Sequence, residues 1–223
     1  MKHKYVVILP CAGVGSRFGN DIPKQYIKIN NRYLIEYTLD AILDVLCIDE
    51  VYIIVNNHDK YIDDIVNQYL HKAKSKIKIL YLGGDTRAKT VFNGLNAIKH
   101  LDYYDWVLVH DIVRCYINPQ LVENLILRVQ DDMVGGILAI PVSDTVKMVQ
   151  NNYIIKTIDR HSIYLAQTPQ IFRYGVLIDA YNSIDNYSQM TDESSIIEAF
   201  GKKVLLVQGH ESNIKITYSS DIQ

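Results

Sequence analysis

Short apolar runs alternate with amphipathic stretches over most of the chain. The runs predict buried strands at residues 5–9, 50–55, 77–82, 106–109 and 136–140. Between them, apolar side chains three and four positions apart predict helices at 34–46, 61–73 and about 88–98, and Asn118-Pro119 predicts a further helix start. Strictly alternating strands and helices predict an α/β fold whose doubly wound sheet is mostly parallel.

The alternation breaks after Pro141. Two short strands are predicted at 143–149 and 153–158, joined by the turn-prone residues 150–152. No helix follows that could cover this β-hairpin, so we expect a protruding arm at about 142–159 that packs on a partner surface. Beyond the arm, we predict a helix that begins at the Thr191 hydroxyl and ends at Gly201, and late strands at 204–207 and 213–217.

Composition limits the classes of partner. The 223 residues carry a formal charge of −2 and a pI near 6.4, which gives no electrostatic footprint for nucleic acid or an anionic membrane. A single nucleotide needs only a local basic cluster. The three cysteines are far apart and predict neither a disulfide framework nor a zinc site. Because no apolar run is long enough for a membrane span or a signal peptide, we expect a cytoplasmic protein.

A glycine-rich loop at residues 10–25 follows the first strand. Gly13 and Gly15 allow the backbone to approach a ligand closely, and Arg17 and Lys24 add two cations. Backbone N–H groups together with positive charge are typical of a polyphosphate site. The alternative is an ordinary strand-to-helix turn whose Arg17 and Lys24 are solvated.

Better-known phosphate loops do not fit this segment. The dinucleotide fingerprint needs a third glycine where Phe18 stands, and the P-loop needs a lysine after Gly19, where Asn20 stands. A kinase would need a downstream H-R-D triplet, which the chain lacks.

Two further loops are predicted at the same edge of the sheet, because ligands of such sheets bind at the carboxyl ends of the strands. Residues 83–87 combine two glycines with Arg87, and residues 110–115 carry Asp111 and Arg114. Asp111 is placed to hold Mg²⁺ on a polyphosphate. The alternatives are a plain strand-to-helix turn at 83–87 and an ion pair between Asp111 and Arg114.

Seven motifs occur in one order along the chain. They are P-x-A-G-x-G-x-R…P-K-Q, G-G-D-x-R, V-H-D-x-x-R, D-T-V-K, D-R…Q-T-P-Q-x-F, T-D-E-S and S-N-I-K-I-T. In these the chain resembles the 2-C-methyl-D-erythritol 4-phosphate cytidylyltransferases, from about Tyr5 to Thr217. The resemblance implies one Rossmann-like nucleotidyltransferase domain over 1–223, CTP as co-substrate, a polyol phosphate as acceptor, Mg²⁺ or another divalent cation, and a homodimer formed through the arm.

The resemblance also implies residue roles at the matching positions. Catalytic cations would be Arg17, Lys24 and Lys215. The nucleotide would be held by Ala12, Gly13, Gly15, Gly83, Asp85, Arg87, Thr90 and Asp111, with Asp111 also beside the metal. The sugar phosphate would be held by Arg114, Thr145, Arg160, Thr168 and Thr191, of which the arm carries Thr145 and Arg160 into the neighbouring subunit.

Two alternatives stay open at this point. The ribitol-5-phosphate cytidylyltransferases share the opening loop and Q-T-P-Q, although D-T-V-K and T-D-E-S are more similar to the methylerythritol enzymes. A nucleotide-binding regulator with weak catalysis is the other alternative, because Ile112, Val113 and Cys115 depart from the D-A-A-R-P or D-A-V-R-P form that is usual in the family. Loss of that proline frees the backbone after Arg114.

Overall fold

A computed structural model describes residues 3–13, 22–73, 76–186 and 190–221 of the protein. The strands in these residues are β1 (Tyr5–Pro10), β2 (Lys28–Ile29), β3 (Arg32–Tyr33), β4 (Glu50–Ile54), β5 (Ile77–Leu80), β6 (Trp106–Val109), β7 (Gly135–Pro141), β8 (Val146–Gln150), β9 (Tyr153–Ile158), β10 (Tyr164–Arg173) and β11 (Leu205–Gln208). The α-helices are α1 (Leu34–Leu43), α2 (Ile62–Ala73), α3 (Arg87–Ala97), α4 (Pro119–Val129), α5 (Tyr174–Asn182) and α6 (Glu193–Ala199).

Seven strands form one sheet in the order β11-β7-β10-β6-β1-β4-β5. Neighbouring strands are parallel except at β10, which runs antiparallel to both β6 and β7. The predicted α/β fold with a mostly parallel sheet is therefore confirmed. The sequence pattern missed β10 because Pro169 lies within it, where the pairing register with β7 shifts between Ala166 and Gln170. Proline cannot donate to a ladder and argues against a central strand.

Helices cover both faces of the sheet, as expected for a doubly wound fold. Side chains of β1 alternate between the faces: Val7 and Leu9 pack with α1, α2 and α4, whereas Val6 and Ile8 pack with α3, α5 and α6. All four of these side chains are fully buried. In the described part of the chain, no helix combines the length and the apolar character needed to cross a bilayer.

Helix boundaries follow the sequence signals where these are local. Asn118 caps α4 as predicted, since its Oδ1 accepts a hydrogen bond from the N–H of Leu121 (2.8 Å). The predicted end of the first helix at residue 46 is wrong, because α1 ends at Leu43 and Leu46 is 89% exposed. Residues 44–48 turn beneath the helix, where Val45 is buried. The series of apolar residues therefore extends into the turn, beyond the end of the helix.

The cap of α6 differs from the predicted one. The carboxylate of Asp192, rather than the hydroxyl of Thr191, accepts from the N–H of Ser195 (3.0 Å). The predicted stop is confirmed: α6 ends at Ala199, and Gly201 follows with φ of +79°, a left-handed conformation that glycine adopts without strain. Thr191 is left exposed beside the helix start.

The strand predicted at 213–217 is wrong. No strand is formed there, and the backbone contact of the segment to the 110–115 turn is the hydrogen bond from Ile216 N–H to the carbonyl of Val113 (2.9 Å). Asn213 and Ile216 are buried, whereas Lys215 between them is exposed.

The arm is present as a two-stranded hairpin. Strands β8 and β9 pair with each other, and Asn151 and Asn152 connect them with φ of 49° and 66°, which matches a two-residue type I′ turn. The first strand begins at Val146, three residues later than predicted. A second turn of the same kind, at Asn30-Asn31, joins β2 to β3 and was missed because those strands have two residues each.

Candidate active site

The carboxyl ends of β1, β5 and β6 open into a cavity of about 700 Å³, called here the large cavity. Its wall includes residues of all three predicted loops and of the 213–217 segment, among them Ala12, Gly13, Lys24, Asp85, Arg87, Thr90, Asp111 and Lys215. A volume of this size is typical of small-molecule sites. The expected meeting of the three loops at this edge is therefore confirmed for the described residues.

The opening loop is described at its two ends. Ala12 and Gly13 line the large cavity at one end, and Lys24 lines it at the other. Between them, Gly15 and Arg17 lie outside the described residues. The returning end is fastened by the buried side chain of Gln25, whose Nε2 donates to the carbonyl of Cys11 (2.7 Å). Gln25 was not predicted as a site residue, although it stands in the P-K-Q motif.

Two glycines of the site have different structural roles. A Cβ on Gly83 would lie 2.4 Å from the Cβ of Ala12 and 2.9 Å from the carbonyl oxygen of Val55, so only glycine allows these loops to pack so closely. A Cβ on Gly13 would have no described protein atom within 4 Å. The packing of the described residues therefore requires Gly83 but not Gly13.

Thr90 and Asp85 also have different roles: Thr90 is a structural residue, whereas Asp85 is exposed. The buried Thr90 hydroxyl accepts from the N–H of Gly84 (3.0 Å) and lies 3.0 Å from the carbonyl of Thr86, so it shapes the loop before α3. Asp85 is exposed on the wall of the large cavity. Of the two, Asp85 has the side chain that a ligand can reach.

Asp111 lies at the floor of the large cavity with a cation on each carboxylate oxygen. Its Oδ1 accepts from Nε of Arg87 (2.6 Å) and its Oδ2 from Nζ of Lys215 (2.7 Å). Burial raises the pKa of Asp111, but the charges and hydrogen bonds of the two cations outweigh burial and hold the pKa well below its usual value. Asp111 is therefore a carboxylate at any physiological pH.

Arg87 has a second acidic partner that the sequence reasoning missed. Its Nη1 and Nη2 donate to Oε1 and Oε2 of Glu193 (2.8 and 2.9 Å), a bidentate pair. Glu193 is fully buried and also accepts from the Tyr181 hydroxyl (3.1 Å). In the sequence it reads as an ordinary acid in the first turn of α6. A buried acid in T-D-E-S has no local signal, because its partner is 106 residues away.

Thr168 and His110 support Asp111 from below. The backbone N–H of Asp111 donates to the Thr168 hydroxyl (3.0 Å), which lies 3.0 Å from Nδ1 of His110. Both side chains are buried. Burial lowers the pKa of His110 to about 4, so the imidazole is neutral near pH 7. His110 is thus a hydrogen-bonding residue of the loop.

A smaller cavity of about 200 Å³, called here the small cavity, adjoins the large one. Its wall includes the predicted sugar-phosphate residues Arg114, Thr168 and Thr191, together with Gln170 and Asp192. Arg87, Asp111 and Lys215 line both cavities. These three charged residues therefore stand where the contents of the two cavities meet.

Arg114 does not form the ion pair with Asp111 that the sequence left open as an alternative. Its Nη1 donates to the carbonyl of Asn213 (2.7 Å) and its Nη2 to the carbonyl of Ala166 (3.1 Å). Asp111 is satisfied by other cations. Arg114 instead ties the 213–217 segment to β10 at the wall of the small cavity.

Thr145 and Arg160 lie on the arm rather than at the cavities. Both are exposed, and neither belongs to the wall of the large or the small cavity as the described residues form them. A guanidinium nitrogen of Arg160 donates to the carbonyl of Ser143 at the base of the arm. Within one chain, these two predicted substrate-binding residues are therefore apart from the other site residues.

The unusual residues of the 110–115 turn are accommodated without disturbing it. Ile112 is buried in the main core, and Cys115 is buried in a small cluster with Ile29, Leu34 and Ile216. The carbonyl of Ile112 accepts from the hydroxyl of Thr38 (2.9 Å). The turn is therefore held by packing and hydrogen bonds although it lacks the usual proline.

The sequence matches the family model of 2-C-methyl-D-erythritol 4-phosphate cytidylyltransferase (IspD) over residues 5–223. The chain belongs to this family. The resemblance inferred from the ordered motifs is confirmed, and with it the class of enzyme: the family's members are cytidylyltransferases, which use CTP.

Individual relatives are similar to this chain over nearly its whole length. The cytidylyltransferase of Hahella chejuensis is 39% identical over 99% of this chain and 91% of its own length. That of Chromobacterium violaceum is 40% identical over 97% of this chain and 94% of its own. A crystal structure of 4-diphosphocytidyl-2C-methyl-D-erythritol synthase superposes with a TM-score of 0.86 at 32% identity, covering 100% of this chain and 96% of the other.

The two glycines provide a test of the large cavity as a ligand site. Gly13→Ala should leave the free energy of unfolding within about 0.5 kcal/mol of the parent protein, because the added Cβ meets no atom of the described residues within 4 Å. The same change should weaken nucleotide binding by about tenfold or more. Gly83→Ala is the matched control and should destabilise the fold by about 1–3 kcal/mol through overpacking. Urea unfolding and calorimetric titration with CTP measure both. Unchanged CTP affinity in Gly13→Ala would mean that no ligand approaches this backbone.

The low pKa of His110 predicts part of the acid sensitivity of the fold. A folded pKa of about 4, below an unfolded value of about 6.5, means that the unfolded chain binds the proton first. This contribution is complete above pH 6.5 and is lost as the pH falls towards 4, by up to about 3 kcal/mol. The difference in unfolding free energy between the parent and His110→Gln, measured from pH 7 to 4, should show this slope. Parallel pH profiles would contradict it.

Proposed function

We propose that the protein transfers the cytidylyl group of CTP to 2-C-methyl-D-erythritol 4-phosphate and releases pyrophosphate, a step of non-mevalonate isoprenoid precursor synthesis. The observation that carries this proposal is the sharing of Arg87, Asp111 and Lys215 between a large and a small cavity. A nucleotide in the large cavity and a phosphorylated polyol in the small one would meet at these charges. Family membership supports the same substrates.

The reaction needs positioning and charge more than a protein nucleophile. An oxygen of the acceptor's phosphate attacks the α-phosphorus of CTP and forms the new P–O bond, while the bond to the β-phosphate breaks and pyrophosphate leaves with its electron pair. Negative charge grows on the transferring group and on the leaving oxygens. Lys24 and Lys215, both on the cavity wall, would stabilise that charge, together with Arg17 as the family resemblance implies.

The nucleoside part of CTP would lie against the loops after β1 and β5. Ala12, Gly13 and Gly83 let the two loops pack closely while leaving open space above Gly13, and Asp85 offers an exposed carboxylate that suits ribose hydroxyls. Thr90 shapes the loop that presents Asp85. Gly15 joins this group by family resemblance.

The described residues fit a magnesium ion carried in by the triphosphate. Among them no cluster of three or more His, Cys, Asp or Glu side chains forms a metal cage. Mg²⁺ on a nucleotide commonly keeps waters and needs only one or two carboxylates. Asp111 would supply one, because each of its oxygens accepts one cation contact and has a second lone pair. When bound, the ion would neutralise charge on the phosphates.

The acceptor's phosphate would lie in the small cavity. Arg114 brings positive charge to its wall, and Thr191 presents an exposed hydroxyl at the start of α6. The Thr168 hydroxyl is already engaged by Asp111 and His110, so its contribution is to hold the floor of the cavity. The turn carrying Ile112 and Cys115 keeps its packing, which supports an active enzyme over a catalytically weak regulator.

Release of pyrophosphate from CTP tests the function. With Mg²⁺ present, 2-C-methyl-D-erythritol 4-phosphate should support a rate at least about tenfold above ribitol 5-phosphate, since a site built for one polyol leaves polar groups unpaired with another. Omitting the divalent cation should abolish release. Activity with ribitol 5-phosphate only would refute the proposed acceptor. Binding of CTP without release for either acceptor would favour a regulator, and undiminished release without a divalent cation would refute the role of Mg²⁺.

We also propose that two chains form a dimer through the arm. Apolar side chains on the arm are 46–77% exposed: Met148, Val149, Tyr153, Ile154 and Ile155. An isolated hairpin is marginally stable in water, and a contiguous exposed apolar surface marks an interaction site. Since Thr145 and Arg160 lie apart from the cavities of their own chain, a crossed arrangement would bring them to the partner's small cavity.

Mixing two inactive variants tests this arrangement. Lys24→Ala and Arg160→Ala proteins, each nearly inactive, are combined under conditions that allow subunits to exchange. In a mixed dimer, one site has an intact Lys24 and receives an intact arm. Random exchange makes roughly half the dimers mixed, so about a quarter of all sites should recover. Lys24→Ala mixed with Lys215→Ala is the control and should recover nothing, because both cations serve the chain that carries them. If Arg160 acted in its own chain, the first mixture would also stay inactive.

A further inference from the structure

Four charged side chains form a continuous chain of alternating sign behind the site. Glu193 contacts Arg87 through two hydrogen bonds (2.8 and 2.9 Å), Arg87 contacts Asp111 (2.6 Å), and Asp111 contacts Lys215 (2.7 Å). The Glu193 side chain at one end is 0% exposed, and the Lys215 side chain at the other end is 47% exposed. The chain thus begins in the core and ends at the cavities.

Glu193 touches neither cavity, although its neighbours do. Thr191 and Asp192 line the small cavity, whereas Glu193, the first residue of α6, points into the core. The segment is held in place because Gln170 donates to Asp192 (2.7 Å) and accepts from the N–H of Ser194 (2.9 Å). The hydrogen bonds of Glu193 to Arg87, which lines both cavities, are therefore a direct route from Glu193 to the site.

The bidentate contact fixes the orientation of Arg87. A guanidinium is planar, so two hydrogen bonds from Nη1 and Nη2 to one carboxylate determine where its Nε points. Nε meets Oδ1 of Asp111, which leaves Oδ2 to Lys215. Without the Glu193 carboxylate, Arg87 is free to turn its own fork towards both oxygens of Asp111. A guanidinium nitrogen would then compete with Nζ of Lys215 for Oδ2, which weakens the contact that holds the ammonium in position.

We propose that Glu193 is a positioning residue for Lys215, acting through Arg87 and Asp111. It links the segment that borders the small cavity to a cation shared by both cavities. The role of Lys215 in the reaction rests on the proposed function, whereas the effect of Glu193 on the contact between Lys215 and Asp111 does not.

Kinetics of Glu193→Gln test the proposal, because the amide keeps the shape of the side chain and removes its charge. Turnover with CTP and 2-C-methyl-D-erythritol 4-phosphate should fall roughly 10–100-fold, while KM for CTP changes by less than about threefold. Tyr181→Phe is the matched control: it removes a neutral hydrogen bond to the same carboxylate and leaves Arg87 in place, so turnover should stay within about threefold of the parent. An equal loss in both variants would overturn the proposal.

A double-mutant cycle separates positioning from general destabilisation. In a Lys215→Ala background, Glu193→Gln should lower turnover by less than about threefold, because the cation that it positions is already absent. The same fold-loss in both backgrounds would show that Glu193 does not act through Lys215. If Glu193→Gln is recovered unfolded, the cycle is run with Glu193→Asp, which keeps the charge but shortens the reach to Arg87. The same pattern of dependence on Lys215 is expected.

A crystal structure of the Glu193 variant tests the geometry independently of the reaction. We expect Arg87 to contact both oxygens of Asp111 and Nζ of Lys215 to move beyond hydrogen-bonding distance. An unchanged contact between Lys215 and Asp111 would refute the inference even in an active enzyme. If instead the parent protein released no pyrophosphate, the proposed function would fail, while this structural result would still decide whether Glu193 positions Lys215.

Discussion

The Asp111 carboxylate, held between two cations, is the interaction on which the rest of the site depends. Its partners come from distant parts of the chain: Arg87 begins α3, and Lys215 lies in the segment after β11. An uncompensated buried carboxylate costs several kcal/mol, so Asp111 can stay ionised in this place only when both segments are seated. The ionised Asp111 and the two segments that carry its partners are therefore expected to reach their positions together during folding.

The same contacts constrain the two cations unequally. Arg87 is held by Asp111 on one side and by Glu193 on the other, with its side chain 26% exposed. Lys215 contacts Asp111 with one of its three donors and is 47% exposed. In the proposed reaction, a phosphate entering the cavity would meet in Lys215 an ammonium that can bind it and keep its contact to Asp111. Buried ion pairs contribute little net stability compared with apolar packing. The network is therefore better explained by the way it positions its charged side chains than by the stability it adds.

Sequence reasoning predicted correctly that the three loops meet, because that prediction depends only on the order of the strands. Gly83, Arg87 and Asp111 follow predicted strands, and parallel strands place such residues at one edge of a sheet. The partners of these residues were not predictable in the same way. Glu193 is 106 residues from Arg87 and resembles an ordinary first-turn acid, and Arg114 stands near Asp111 yet binds carbonyls of Asn213 and Ala166. Charged residues that pair across the fold do not recur at a regular spacing in the sequence, so the sequence pattern does not reveal the pairs.

The departures from the family pattern at residues 112–115 are explained by what holds this turn. A proline after Arg114 would restrict the backbone in the unfolded chain, but the folded turn has its own restraints. Thr38 binds the carbonyl of Ile112, Ile216 binds that of Val113, and Cys115 packs on Ile216. Because Ile216 is adjacent to Lys215, the cluster that seats the turn also seats the cation that contacts Asp111. A small buried side chain at position 115 therefore serves the site through packing, where a proline would serve it through a fixed dihedral angle.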